Sequence, residues 1–243
     1  MHVVIPARYG STRLPGKALA DIGGEPLVCR VYRRAALSGA QSVTVATDDA
    51  RIAAAVEAIG GAVVMTSAGH ASGTDRLAEA ADRLGFGDDE IIVNLQGDEP
   101  LMTPGLLDAV AEALAAQSAW SLATAAHPIT DPAEFHNPHA VKVVCGDDGR
   151  ALYFSRSPIP YPRTQAAGPL GLRHIGLYAY RVRFLRAFRD MGVSALEERE
   201  GLEQLRALAA GVGIGVVITD EMPLPGVDTP EDLARVRALW GSR

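Results

Sequence analysis

Cysteine is scarce in this 243-residue chain. The two present, Cys29 and Cys145, lie far apart without CxxC spacing, which argues against a disulfide framework or a zinc knuckle and fits a reducing compartment. Basic charge is short as well: 23 Lys and Arg face 29 Asp and Glu, a net charge of −6. A general nucleic-acid binder needs a broad basic face, so that class is disfavoured. No apolar run approaches the ~20 residues of a membrane span. The N-terminus passes straight into Val3-Val4-Ile5 without the basic and apolar regions of a signal peptide. The expectation is a soluble cytoplasmic protein whose partners include neither nucleic acid nor membrane. Low-complexity stretches, internal repeats and linkers are also missing, so one domain over residues 1–243 is expected. Hydrophobic residues at 48% and charged residues at 21% are globular values, not those of a disordered, collagen-like or coiled-coil chain. A chain of this size buries roughly 70% of its surface on folding, enough for a core without staples.

What is present is a rhythm. Short β-branched runs at residues 2–5, 43–46, 62–65 and 91–95 alternate with helix-length segments at 26–37, 49–59, 74–84 and 104–116. Continuous apolar strands at βα spacing indicate a parallel sheet covered on both faces. The right-handed crossover rule then gives a three-layer α/β/α sandwich with a mostly parallel central sheet. After Ser118 the rhythm changes. Strand-like runs at 120–126, 140–145, 151–155 and 172–181 predict a small mixed β extension, a β-rich subregion spanning residues 120–181. Helices are expected at 182–189, 196–210 and 230–239, with a strand at 214–219. Residues 158–171, with Pro at 158, 160, 162 and 169, form the candidate mobile loop.

Residues 1–20 contain Arg8, Arg13 and Lys17 and no acid. They leave the first strand as Pro6-Ala-Arg-Tyr-Gly-Ser-Thr-Arg-Leu-Pro-Gly-Lys17. Ligands of open α/β sheets bind at the carboxyl ends of strands. Gly10 and Gly16 let backbone N–H groups approach an anion, and two guanidinium groups can grip phosphate oxygens. Only Lys17 and Lys142 are Lys among the 23 basic residues, so a Lys in this loop suggests a site that needs a compact charge. The spacing is not that of a Walker A loop. The competing reading is an Arg-rich surface loop.

Asn94-Leu-Gln-Gly-Asp98-Glu-Pro100 delivers a carboxylate to the same end of the sheet. Asp98 suits a Mg²⁺ ligand beside a triphosphate, and equally suits a turn or a helix cap. In Gly226-Val-Asp228-Thr-Pro-Glu-Asp232, Thr229, Pro230 and Asp232 already make a competent helix start, which frees Asp228 for a second metal contact. Ser72-Gly-Thr-Asp-Arg76 heads a helix that could either bind a pyrimidine edge or simply be capped. Ala46-Thr-Asp48-Asp49 reads as an N-cap. Arg156, Arg163, Arg173 and His174 flank the Pro-rich loop as a clamp for a carboxylate-bearing acceptor or as scattered surface charge. Glu203 and Gln204 read as solvated helix face. The Pro within His136-Asn-Pro-His139 argues against a helical zinc pair.

Together with Ala140-Val-Lys-Val-Val144, Ala151-Leu-Tyr-Phe-Ser-Arg156, Arg173-His-Ile-Gly-Leu-Tyr178 and Leu202-Glu-Gln-Leu-Arg206, these motifs run in order along nearly the whole chain. It thereby resembles the 3-deoxy-manno-octulosonate cytidylyltransferase (CMP-Kdo synthetase) family. The resemblance implies a glycosyltransferase-A-like nucleotidyltransferase that is CTP- and Mg²⁺-dependent, usually homodimeric, and serves lipopolysaccharide biosynthesis. It places the phosphate loop on Arg8, Ser11, Arg13 and Lys17, and cytosine contacts on the stretch with Ser72, Thr74 and Arg76. The metal carboxylates fall on Asp98 and Asp228. Sugar-acid contacts fall on Gln96, Arg156, Arg163, His174, Tyr178, Glu203 and Gln204, with Lys17, Asp98, Asp228 and Arg13 as the catalytic set, and the 120–181 subregion serves acceptor binding and dimerisation.

The chain departs from the family in places. The 159–172 loop is shorter, Tyr161 and Pro162 stand near an expected Trp, Ala18 replaces a Pro, and residues 209–215 lack the expected acidic or aromatic residues. These departures leave open a different anionic acceptor, such as a sialic-acid-like or amino sugar acid or a phosphonate. A nucleotide-binding module without turnover is the reading outside enzymes. It would be expected to have lost Lys17, Asp98 or Asp228, and all three stand.

Overall fold

The apolar run after Met1 forms β1 (His2–Ala7), with Val3, Val4, Ile5 and Ala7 all buried. A computed structural model describes residues 1–11, 13–70, 72–164, 168–224 and 226–241. On one side of β1 lie β2 (Ser42–Thr47) and then β3 (Ala62–Met65), and on the other β4 (Ile91–Asn94), all parallel. The sheet continues from β4 through β8 (Gly171–Arg181) and β5 (Leu122–Ile129) to β9 (Ile214–Ile218). Of these seven strands β8 alone runs against the rest, antiparallel to both β4 and β5. The hairpin of β6 (Lys142–Cys145) and β7 (Ala151–Ser155) joins the start of β8. The mostly parallel sheet and its mixed extension follow the expectation.

Alternation along β1 sorts the two cores, because successive side chains in a strand point to opposite faces. Val3, Ile5 and Ala7 pack with α1 (Leu27–Ala35), α2 (Ala50–Glu57), α4 (Pro104–Ala116) and α9 (Pro230–Gly241). Val4 turns the other way, with Ala46 and Ile92, onto α3 (Gly73–Arg83), α6 (Val182–Arg189) and α8 (Gln204–Ala209). Helices therefore cover both faces, and the layers number three.

Two details differ from the sequence reading. The expected helix at 196–210 is two helices, α7 (Ala195–Glu200) and α8, because Gly201 adopts φ 61° and closes the first in a left-handed cap. A short helix, α5 (Pro132–His136), also forms, with Pro132 at its first turn and the Asp131 side chain accepting from the Ala133 N–H. Residues 165–167, inside the candidate mobile loop, lie outside the described residues. The carboxyl ends of β1, β2, β3 and β4 all open on one edge of the sheet, where the site is built.

Candidate active site

Beyond β1 the chain folds back on itself. Gly16 donates its N–H to Tyr9 O (3.3 Å), and a 3-10 turn at Lys17–Leu19 buries Ala18. This return directs Lys17 inward, its side chain 17% exposed. Its Nζ lies 2.6 Å from Asp98 Oδ2 and 3.0 Å from Asp228 Oδ1, and Arg13 Nη2 lies 3.0 Å from Asp228 Oδ2. Burial opposes the charge on Lys17, but the two aspartates outweigh it and hold its pKa above the ordinary value.

Each aspartate is placed by its own backbone. A turn closed by Glu99 N–H to Gln96 O (3.2 Å) presents Asp98 after β4. Val227 then donates to Asp98 O at 2.8 Å. The next two N–H groups, of Asp228 and Thr229, go to Asp232 Oδ2 at 3.1 and 3.0 Å, while Asp232 N–H returns to Thr229 Oγ1. The helix start is thus satisfied without the Asp228 side chain, as its sequence implied.

Beneath this pair sits a residue that the sequence reading missed. The Glu99 Oε2 atom is buried and, among the described residues, unpartnered. Burial first, then the charges of Asp98 and Asp228, push its pKa up to about 8, so it is largely protonated at neutral pH. Its only sequence signal is that it follows Asp98.

The opposite wall is the start of α3. Ser72 caps it by accepting from the Asp75 N–H at 3.1 Å. Arg76, 5% exposed, donates to Thr66 Oγ1 at 2.5 Å and to Asp48 Oδ2 at 3.0 Å. The N-cap of α2 is Asp49, which leaves Asp48 for Arg76. His70 also faces the cleft, its Nε2 against Glu79. Sequence reasoning passed over it for want of a helical spacing.

These walls enclose a cleft of about 350 Å³ that brings together Arg8, Ser11, Arg13, Lys17, Ser72, Arg76, Gln96, Asp98 and Asp228. Thr74 is not among its lining residues. Its hydroxyl donates to Glu203 Oε1 and borders a second cavity of about 50 Å³ with Tyr178, Tyr180, Glu203 and Gln204. There, among the described residues, Tyr178 Oη and Gln204 Nε2 are buried without partners. Burial raises the Tyr178 pKa well above its ordinary value, so the phenol keeps its proton. The His174 ring packs against Tyr178, with centroids 5.3 Å apart.

The arginines expected at the acceptor are placed differently. Arg156 donates to Glu200 O at 2.7 Å and Pro138 O at 3.0 Å. The fully buried Lys142 donates to Asn137 O, Ala140 O and Arg156 O at 2.9, 2.6 and 2.6 Å, pinning the same strand. Arg173 pairs with Glu134 at 2.7 Å. Arg163 lies exposed on the Pro-rich loop and lines neither cavity.

The donor set suits a hard cation. Among the described residues no group of three or more His, Cys, Asp or Glu converges. Asp98 and Asp228 offer two carboxylates, the usual protein share for Mg²⁺ beside phosphate oxygens and water. An ammonium group already lies between them, so the spot accepts positive charge.

A family model described as "Cytidylyltransferase" matches residues 2–214. Among solved structures, a CMP:2-keto-3-deoxy-manno-octonic acid synthetase complexed with CTP is 46% identical, with a TM-score of 0.93 over 99% of this chain and 98% of that one. A cytidylyltransferase from Leptospira borgpetersenii serovar Hardjo-bovis (strain JB197) is 19% identical, with a TM-score of 0.66 over 99% of this chain and 86% of that one. At that identity the likeness is one of fold.

Proposed function

The chain belongs to the CMP-Kdo synthetase family of cytidylyltransferases, and from that premise we propose that it transfers CMP from CTP to a Kdo-like 3-deoxy sugar acid with release of pyrophosphate. The observation that carries this reading is the position of the Lys17 ammonium. It lies between Asp98 and Asp228, on the floor of a cleft whose rim supplies Arg8, Arg13 and the start of α3.

In this reading the acceptor oxygen attacks the α-phosphorus of CTP while the bond to the bridging oxygen of pyrophosphate breaks. Such transfers ask the protein chiefly for positioning and charge neutralisation. Arg8, Arg13 and Lys17 absorb the charge that develops on pyrophosphate. The wall of Ser72, Gly73 and Arg76 holds the base, with Arg76 kept rigid by Asp48 and Thr66. Asp98 and Asp228 would hold Mg²⁺, which supplies polarisation of the α-phosphate and of the attacking oxygen. Gln96, on the cleft wall, and Tyr178, Glu203 and Gln204, around the smaller cavity, take the acceptor. A homodimer in the cytoplasm belongs to the same proposal, and sedimentation velocity tests the dimer.

The decisive experiment incubates the protein with each nucleoside triphosphate, Mg²⁺ and Kdo, and follows pyrophosphate release and the CMP-sugar product. CTP and Kdo should give turnover, and Asp98→Asn should lower it at least ~100-fold, the scale of losing one electrostatic contact in a transition state. Near-normal turnover in Asp98→Asn at saturating Mg²⁺ would refute the assigned role.

A further inference from the structure

Neighbouring residues in the first turn of α3 serve different cavities. Ser72, Gly73 and Arg76 line the nucleotide cleft, whereas Thr74 lines the smaller cavity and donates its hydroxyl to Glu203 Oε1. Thr74 is 5% exposed, so this is an interior contact joining residues 129 positions apart. Glu203 stands beside Gln204, whose buried Nε2 has no partner among the described residues, and the Tyr178 hydroxyl is in the same condition. Unmet buried hydrogen-bonding groups are costly unless a ligand or water satisfies them. A carboxylate, an amide and a phenol around one cavity match a polyhydroxylated ligand, whose hydroxyls can both donate and accept.

A glutamate side chain has three rotatable bonds, and an unrestrained one must be ordered anew each time a ligand binds. Anchoring one carboxylate oxygen removes much of that freedom and leaves the second oxygen for the ligand. We infer that Thr74 is a positioning residue for the acceptor: its hydroxyl sets the Glu203 carboxylate. Through the backbone of α3 it ties that carboxylate to the helix terminus forming the nucleotide wall. The inference rests on the cytidylyl-transfer reading, and it places Thr74 on the acceptor side rather than among the cytosine contacts.

Thr74→Val keeps the shape and removes the hydroxyl, while Thr74→Ser keeps the hydroxyl. Thr74→Val should raise KM for Kdo about 10-fold, the lower end for a hydrogen bond to a charged group. KM for CTP and the calorimetric Kd of CTP should stay within about twofold, and Thr74→Ser should restore most of the Kdo affinity. Glu203→Ala, which removes the hydrogen-bond acceptor, should also raise KM for Kdo, and adding Thr74→Val to it should change little further, as expected for two residues acting through one contact. A rise in the CTP constants alone, equal losses in the Val and Ser variants, or additive effects in the double variant would overturn the inference. Absence of turnover in the unmodified protein with CTP and Kdo would instead overturn the functional reading, and this inference with it.

Discussion

Val227 donates its backbone N–H to the carbonyl oxygen of Asp98 at 2.8 Å, and this bond brings the next carboxylate, Asp228, beside the first. The residue before Val227 permits the approach. A Cβ on Gly226 would stand 3.0 Å from Asp98 O and 3.3 Å from Glu99 Cγ, so a side chain there makes these neighbours give by a few tenths of an ångström. Gly226→Ala should therefore lower kcat about 10-fold or more. Misplacing reacting groups by about 1 Å can cost ~100-fold. The melting temperature should fall by less than about 4 °C, the shift for roughly 1 kcal/mol in a domain of this size. An unchanged kcat would show that the close approach does not set the carboxylate pair.

The ammonium of Lys17 sits on Asp98 Oδ2 and Asp228 Oδ1, so in the proposed function a Mg²⁺ held by these aspartates would compete with it. In Lys17→Met these carboxylates lose that cation and repel each other across a half-buried gap. MgCl₂ without nucleotide should then raise the melting temperature of Lys17→Met by more than it raises that of the unmodified protein. Turnover should fall about 100-fold, because the proposed function also has Lys17 take up charge on the leaving pyrophosphate. Equal Mg²⁺-induced shifts in both proteins would separate the ammonium position from the cation site.

The sheet was legible because β1 and β4, at its centre, are buried on both faces and read as short apolar runs, and β2 and β3 repeat their β-branched character at βα spacing. The break at Gly201 was not. Leu202 and Leu205 keep a helical spacing directly after it, and only the positive φ of Gly201 shows the chain turning. Within the site, Asp228 could be singled out because its neighbours already completed a helix cap, a wholly local argument. The bonds Arg76–Asp48 and Thr74–Glu203 join residues 28 and 129 positions apart. They depend on which side of the α3 turn each side chain takes, which no local pattern encodes. Glu99 escaped for the same reason: beside Asp98 in sequence, it turns into the interior while its neighbour faces the cleft.

His174 should make the fold sensitive to acid. Thr124 has one hydroxyl hydrogen, within reach of Leu177 O at 2.7 Å and Ile175 O at 3.0 Å. Its oxygen therefore accepts from His174 Nε2, 3.0 Å away, and the neutral ring carries its hydrogen there. Phe154 packs edge-on, its centroid 5.1 Å from that of the imidazole. Burial pushes the pKa of His174 down to about 3, against 6.5 for a free imidazole. Between these values the unfolded chain binds more protons than the folded one. Stability from this group should therefore rise with pH across that window and be fully present above it. Urea unfolding at pH 5 and pH 7 should differ by about 1–2 kcal/mol more in the unmodified protein than in His174→Gln, which has no titrating ring. Parallel pH profiles for the two proteins would mean that the imidazole takes up its proton in the fold as readily as in the open chain.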